Sequence, residues 1–413
     1  MSPSATLHHV QPGTVGFASD GLDRIDELMR SGLGSVFPAA GLLVARSGGV
    51  VMHKAYGFLD PETQERRTDT GCLFDLASVT KLFTATAFMS LVEDGRVSLD
   101  TPVAEVLPEF GGVRPISATE DPISKAPVPA DARFSGVDVD ARQVTFWHLL
   151  THTSGLAAWR SLYRENGDDD TSLLPHRVTP ELRQRRIAAI HQRYGFAYPP
   201  GEQMVYSDLG LILLGEATAR LHNGDLEAAV RDRVLQPLGL GRAGYNPLAK
   251  NTPLDSIVPT EFCAWRKRRC VGEVHDENAA SLGGVAGHAG LFATVWDVAV
   301  LGQTYLNQGR YGETQILSPA SVGDMIRTHV NFDDNPRGLG WLQRSQQGSS
   351  SGRNFGPRSY GHTGFTGTSL WVDPDRELVV SLLTNRVYYG RDPGGIVQFR
   401  PRLHDAVVEA MKN

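Results

Sequence analysis

The 413-residue chain is poor in cysteine, in lysine and in long apolar runs, and each shortage excludes something. Three cysteines, Cys72, Cys263 and Cys270, cannot make a complete disulfide set, and no CxxC pair offers a zinc site. Cys263 and Cys270 could bridge locally, but reduced thiols in a reducing compartment are the plainer expectation. No apolar run is long enough to span a bilayer. The first thirty residues lack the basic start and apolar core of a signal peptide. The cytoplasm is the expected location, or the periplasm or exterior if a leader segment precedes this sequence. A net charge of −6 argues against nucleic acid as a partner. The two basic runs, Arg183-Gln184-Arg185-Arg186 and Arg266-Lys267-Arg268-Arg269, read as solvated helix or loop faces.

Scarcity makes one lysine conspicuous. Only six are present, and Lys81 falls inside the most apolar helical pattern of the chain: Leu82, Phe83, Ala85, Ala87, Phe88, Leu91 and Val92, with Gly95 as a stop. A cation there must pair, lose its proton or face a cleft. Ser78 lies three residues earlier, on the same helix face, where the pattern begins. Unpaired N–H groups and the positive end of the dipole at a helix start favour a developing anion. Ser78/Lys81 is the only S-x-x-K pair in the sequence.

The length exceeds one usual domain core, so two lobes are expected. The spacing predicts a helix over 22–33, then a hairpin of 40–46 and 50–56 turned by Ser47-Gly48-Gly49. Residues 111–142 read as a long surface excursion, and 272–290 as a glycine-rich loop, either near a functional site or a plain connector. Helical patterns recur at 180–193, 208–222, 225–236, 294–309 and 318–328. Residues 345–357 read as a flexible low-complexity loop. Strands return at 358–363, 366–372 and 378–385, before a closing helix over 396–411. Strands at both ends and helices between predict an α+β fold. An antiparallel β-sheet is flanked by N- and C-terminal helices, and a mostly helical lobe is inserted. The sheet lobe would take 1–70 plus 285–413 and the helical lobe 71–284, with the site in the cleft between them.

Two further stretches carry chemistry. Tyr206-Ser207-Asp208 opens a helix; taken alone it fits an N-cap beside a half-buried ring. Tyr360-Gly361-His362-Thr363-Gly364-Phe365 opens a late strand; its glycines fit either a hairpin edge or a backbone that approaches a ligand closely. His275, Asp276, Glu277 and His288 lack metal-ligand spacing, so neither a metal nor another cofactor is expected.

In this order, Ser78-Val79-Thr80-Lys81, Tyr206-Ser207-Asp208 and His362-Thr363-Gly364 resemble the serine β-lactamase and penicillin-binding protein superfamily, most closely its class C branch. That branch includes DD-peptidases, D-aminopeptidases, esterases and acyltransferases. His148-Leu149-Leu150-Thr151-His152-Thr153-Ser154-Gly155-Leu156 also looks like this family. The resemblance implies Ser78 as nucleophile, Lys81 and Tyr206 as its acid/base partners, and the backbone N–H groups of Ser78 and Phe365 as the oxyanion hole. It implies substrate binding by Asp208, His362, Thr363 and Gly364. The activity implied is a serine hydrolase on a small ester, amide or D-amino-acid peptide. Esterase or acyl transfer and peptidase stand nearly level, with β-lactamase third. The alternative is a non-catalytic sensor or binding module of the same fold. Two departures stand out. His362 occupies the place of a lysine, which makes carboxylate binding weaker or pH-dependent. Asp208 occupies the place of an asparagine, which would hold Lys81 cationic and shift the base role toward Tyr206.

Overall fold

The computed structural model describes residues 5–167 and 173–412; part of the loop 157–178, expected to shape the pocket, lies outside them. A nine-stranded sheet is built from both ends of the chain. Its strands are β1 (His8–His9), β2 (Ala39–Arg46), β3 (Gly49–Gly57), β4 (Val330–Phe332), β5 (Asn335–Arg337), β6 (Leu342–Gln343), β7 (Tyr360–Thr363), β8 (Ser369–Asp373) and β9 (Leu378–Thr384), in the spatial order β1-β3-β2-β9-β8-β7-β6-β5-β4. All pairings are antiparallel except β1 with β3. Ala40 faces Thr384 and Arg46 faces Leu378, so the N-terminal hairpin zips onto the last strand.

Both faces of this sheet are covered, which is why β2 and β9 are apolar along nearly their whole length. Alternation divides their side chains. Leu42, Val44, Val380 and Leu382 pack with Ile25 and Met29 of helix α1 (Ser19–Ser31) and with Phe399 and Leu403 of the closing helix. Leu43, Ala45, Val379 and Leu383 face the larger core. Its helices include α2 (Thr80–Glu93), α3 (Asp208–Leu221) and α4 (Val295–Leu306); the closing helix is α5 (Gly394–Glu409). No described helix is long and apolar enough to cross a membrane.

Two expectations are corrected. The loop 345–357 is pinned rather than flexible. Asp405 of α5 accepts from the N–H groups of Arg353 and Asn354 at 2.6 and 2.8 Å, Trp371 donates to Ser350, and Phe355 is buried. The basic runs are partly internal rather than solvated. Arg183 pairs with Glu216, Arg186 is buried against the Ser281 carbonyl, and Arg266 caps the carbonyls of Val274 and His275. The excursion 111–142 lies at the surface as expected, is braced by two nested antiparallel strand pairs, and brings Pro122, Ile123 and Lys125 to the central cleft. Cys72, Cys263 and Cys270 are free and buried.

Candidate active site

Ser78 sits in a tight turn, Ala77–Val79, between a short strand (Phe74–Asp75) and α2. Ala77 has φ of 47°, a left-handed conformation that costs a residue with a Cβ about 1–3 kcal/mol. The surroundings impose it. The Asp75 carboxylate, fully buried and with its pKa raised by that burial, accepts from the Ala77 N–H at 2.8 Å and the His275 N–H at 2.6 Å. The hydroxyls of Thr366 and Thr368 donate to the carbonyls of Asp75 and Leu76, each at 2.8 Å. Gly364 lies against the same turn. A Cβ there would sit 2.6 Å from the Leu76 carbonyl and 2.0 Å from the Thr368 hydroxyl, so only glycine lets the end of β7 approach this closely.

Lys81 follows on the first turn of α2 and is fully buried. Its ammonium donates to Ser78 Oγ at 2.8 Å and to the His288 carbonyl at 3.1 Å, and forms an ion pair with Asp208 Oδ1, 2.8 Å away. Burial is the largest single influence on this amine and opposes the charge. The Asp208 carboxylate and the neighbouring Tyr206 outweigh it, and the pKa is raised. Lys81 Nζ stands 4.8 Å from the centre of the Tyr206 ring. Burial likewise raises the Tyr206 pKa, against a smaller pull downward from Lys81. The resting cluster is therefore an ammonium beside a neutral phenol. The Tyr206 hydroxyl is buried without a hydrogen bond of ordinary geometry, although Ser78 and Lys81 lie near enough to influence its titration.

Asp208 owes its place to the N-cap. Ser207 accepts the Gly210 N–H at 3.1 Å to start α3, which leaves Tyr206 and Asp208 on either side aimed at Lys81. His152 packs at a tilt against Tyr206 with centroids 4.5 Å apart and accepts the Ser207 N–H at Nδ1, 3.0 Å away. Burial, with Arg337 and Lys81 nearby, holds His152 neutral.

The end of β7 forms the facing wall. His362, Thr363, Gly364 and Phe365 line one hollow of about 350 Å³ together with Ser78 and Tyr206. The Phe365 N–H has no backbone acceptor among the described residues. Burial, followed by the charges of Lys81 and Arg337, drives the His362 pKa well below 6.5. The imidazole is thus uncharged throughout the neutral range, where the sequence left room for a cation. A second hollow of about 220 Å³ shares Ser78, Tyr206 and Phe365 and continues to Trp159, Asp276 and Glu277.

The residues singled out in the sequence, from three distant stretches, thus meet around one cleft. Others were missed. Asp75 and His152 gave no signal beyond their motifs' edges. Asp276 and His288, 2.8 Å apart, border the cleft from the glycine-rich loop 272–290, which is therefore no mere connector. Asp208, Asp276 and His288 place donor atoms within 4.8 Å of one another. Lys81 already occupies Asp208, and His288 occupies Asp276, so a metal ion would have to displace both contacts.

Among curated relatives, a protein of Salmonella schwarzengrund provisionally named D-alanyl-D-alanine carboxypeptidase is 30% identical over 403 residues, covering 92% of this chain and 86% of its own. Among solved structures, EstCE1, a hydrolase with promiscuous acyltransferase activity, aligns with a TM-score of 0.69 at 21% identity over 94% of this chain and 98% of its own. The octameric penicillin-binding protein homologue of Pyrococcus abyssi aligns at 0.68 with 20% identity, over 95% of this chain and 78% of its own. At these identities the structural likeness concerns the fold. The family model described as Beta-lactamase matches residues 25–397, nearly the whole length, and the chain belongs to that family as a serine hydrolase.

Proposed function

We propose that Ser78 is the nucleophile of an acyl-enzyme hydrolase acting on an ester or amide. The observation that carries this is the 2.8 Å contact from Lys81 Nζ to Ser78 Oγ, inside a cleft that Tyr206 shares. A serine hydroxyl attacks only when a neighbour takes its proton. Lys81 and Tyr206 form a coupled pair, so the proton goes to whichever member has lost its own. The N–H groups of Ser78 and Phe365 stabilise the oxyanion, and collapse of that intermediate expels the leaving group, protonated by the same pair. Water or a second acceptor then takes the acyl group. The carboxypeptidase name of the curated relative supports a D-amino-acid peptidase. The acyltransferase activity named for EstCE1, with the apolar Trp159 and Phe365 in the smaller hollow, supports ester hydrolysis or acyl transfer.

Incubation with a fluorophosphonate or a fluorescent penicillin should add one adduct mass, mapped by peptide sequencing to Ser78. Absence of an adduct with either reagent would favour the non-catalytic binding module.

Because both pKa values of the pair are raised, its base form is scarce at pH 7, and kcat/KM should climb with pH. Asp208 raises both groups. Asp208→Asn should therefore move the ascending limb to lower pH, with roughly a tenfold gain at pH 7 for each unit moved. Profiles between pH 6 and 10 read this directly, and an unmoved limb would remove Asp208 from the proton economy.

A further inference from the structure

Two of the free thiols stand outside the cleft, on one face of a small hairpin. Strand Phe262–Cys263 pairs antiparallel with Arg268–Arg269, and Cys263 lies opposite Arg268. The Cys270 N–H donates to the Glu261 carbonyl at 3.0 Å, which places Cys270 opposite Glu261. Side chains alternate along a strand, so Cys263 and Cys270 point to the same side, one diagonal step apart. Both are buried, but the hairpin is a surface element, and Phe262 between them and solvent is 59% exposed. The two thiols lie within hydrogen-bonding reach of each other, and this contact is the largest influence on both. It lowers the Cys263 pKa to about 6, with help from Arg266 against burial, and raises that of Cys270. A thiolate beside a protonated thiol suits an attacking cysteine next to a resolving one. Glu261 and Glu277 each place an oxygen within 4.8 Å of the Cys263 sulfur, but Arg391 pairs with both, and a metal ion would have to displace it.

Arg266, buried in the loop of the hairpin, joins these sulfurs to the active site. It donates to Cys270 Sγ at 3.0 Å, to the Val274 carbonyl at 2.8 Å and to the His275 carbonyl at 2.9 Å. The N–H of the same His275 donates to Asp75, and Asp75 holds the Ala77 N–H in the strained turn before Ser78. A bond between the sulfurs would draw Cys270 Sγ toward Cys263 and off Arg266, and so loosen the hold on His275.

We propose that Cys263 and Cys270 form a reversible dithiol sensitive to hydroperoxides, and that bridging them slows turnover at Ser78. The Cys263 thiolate attacks one peroxide oxygen, the O–O bond breaks, and the departing oxygen takes a proton and leaves as water. The Cys270 thiol then attacks the Cys263 sulfenic acid. The S–S bond forms, and the sulfenic oxygen leaves with the Cys270 proton as a second water. The sulfurs lose two electrons and the peroxide gains them. The slowing rests on the Ser78 reading; the bridge does not.

Hydrogen peroxide should lower the intact mass by two hydrogens. Trypsin cuts at Arg266, Lys267, Arg268 and Arg269, so the two cysteine peptides should stay joined only while unreduced. Maleimide labelling after unfolding should fall from three thiols to Cys72 alone. Cys270→Ser should stop at the Cys263 sulfenic acid, which dimedone traps. Hydrolysis of p-nitrophenyl acetate should fall several-fold on oxidation and recover with dithiothreitol, whereas Cys263→Ser should keep its rate through the same treatment. Three thiols surviving peroxide, or oxygen gained at these cysteines with no bridge, would overturn the dithiol. A bridged enzyme with an unchanged rate, or an equal loss in Cys263→Ser, would overturn the coupling to the site. The mass and peptide results hold whichever residue is the nucleophile, and Ser78→Ala reads that assignment separately.

Discussion

Ser78→Ala should abolish turnover of p-nitrophenyl acetate, by at least about 10³-fold, while leaving the fold intact. The size follows from the role, since removing a nucleophile leaves only what oxyanion donors and binding contribute. The intact fold follows from the contacts. Ser78 Oγ accepts one hydrogen bond from Lys81, and the ammonium keeps Asp208 and the His288 carbonyl after its loss. One such bond contributes about 1 kcal/mol net, a shift of a few degrees at most in a chain of this size. The strained Ala77 turn does not depend on the Ser78 hydroxyl, because Asp75, Thr366 and Thr368 hold it. Rates measured beside a thermal melt distinguish the outcomes. Activity within tenfold of the wild type would place the nucleophile elsewhere.

Features written in local pattern were legible from the sequence. The hairpin of β2 and β3 and the last strand announced themselves by apolar runs broken at Ser47-Gly48-Gly49 and at Asp373-Pro374-Asp375. Ser78 and Lys81 stood out because a lysine inside an apolar helix contradicts its surroundings. Features that depend on distant partners were not legible. Arg266 and Arg186 look like surface charge until the carbonyls that receive them are placed. The serine-rich loop 345–357 looks mobile until Asp405, some fifty residues later, is found beneath it. Arg337 carried no signal, because an arginine in a short strand is ordinary and only its burial in the cleft over the Tyr206 ring makes it notable. His362 was visible, but its charge state was not, since burial and two neighbouring cations decide it.

Lys81→Met should be nearly as damaging as Ser78→Ala, and for two separable reasons. The cation that draws the Tyr206 pKa down disappears, so the phenol, already raised by burial, becomes a still poorer proton carrier. Loss of general acid/base help alone typically costs a factor of about 10² to 10⁴. Asp208 meanwhile loses its ion pair in a largely buried position, and a partnerless buried carboxylate costs about 3 kcal/mol or more. Lys81→Met should therefore melt several degrees lower. Adding Asp208→Asn should restore much of that stability and none of the activity, which divides the structural from the chemical work of the amine. Tyr206→Phe provides the contrast. The ring would keep its contact with His152, and the hydroxyl it loses has no hydrogen bond of ordinary geometry. Stability should be level or higher while activity falls about 10²-fold or more. Were Tyr206→Phe to retain full activity while Lys81→Met lost it, the amine would act alone as the base, and the raised Lys81 pKa would by itself set the alkaline climb of the rate.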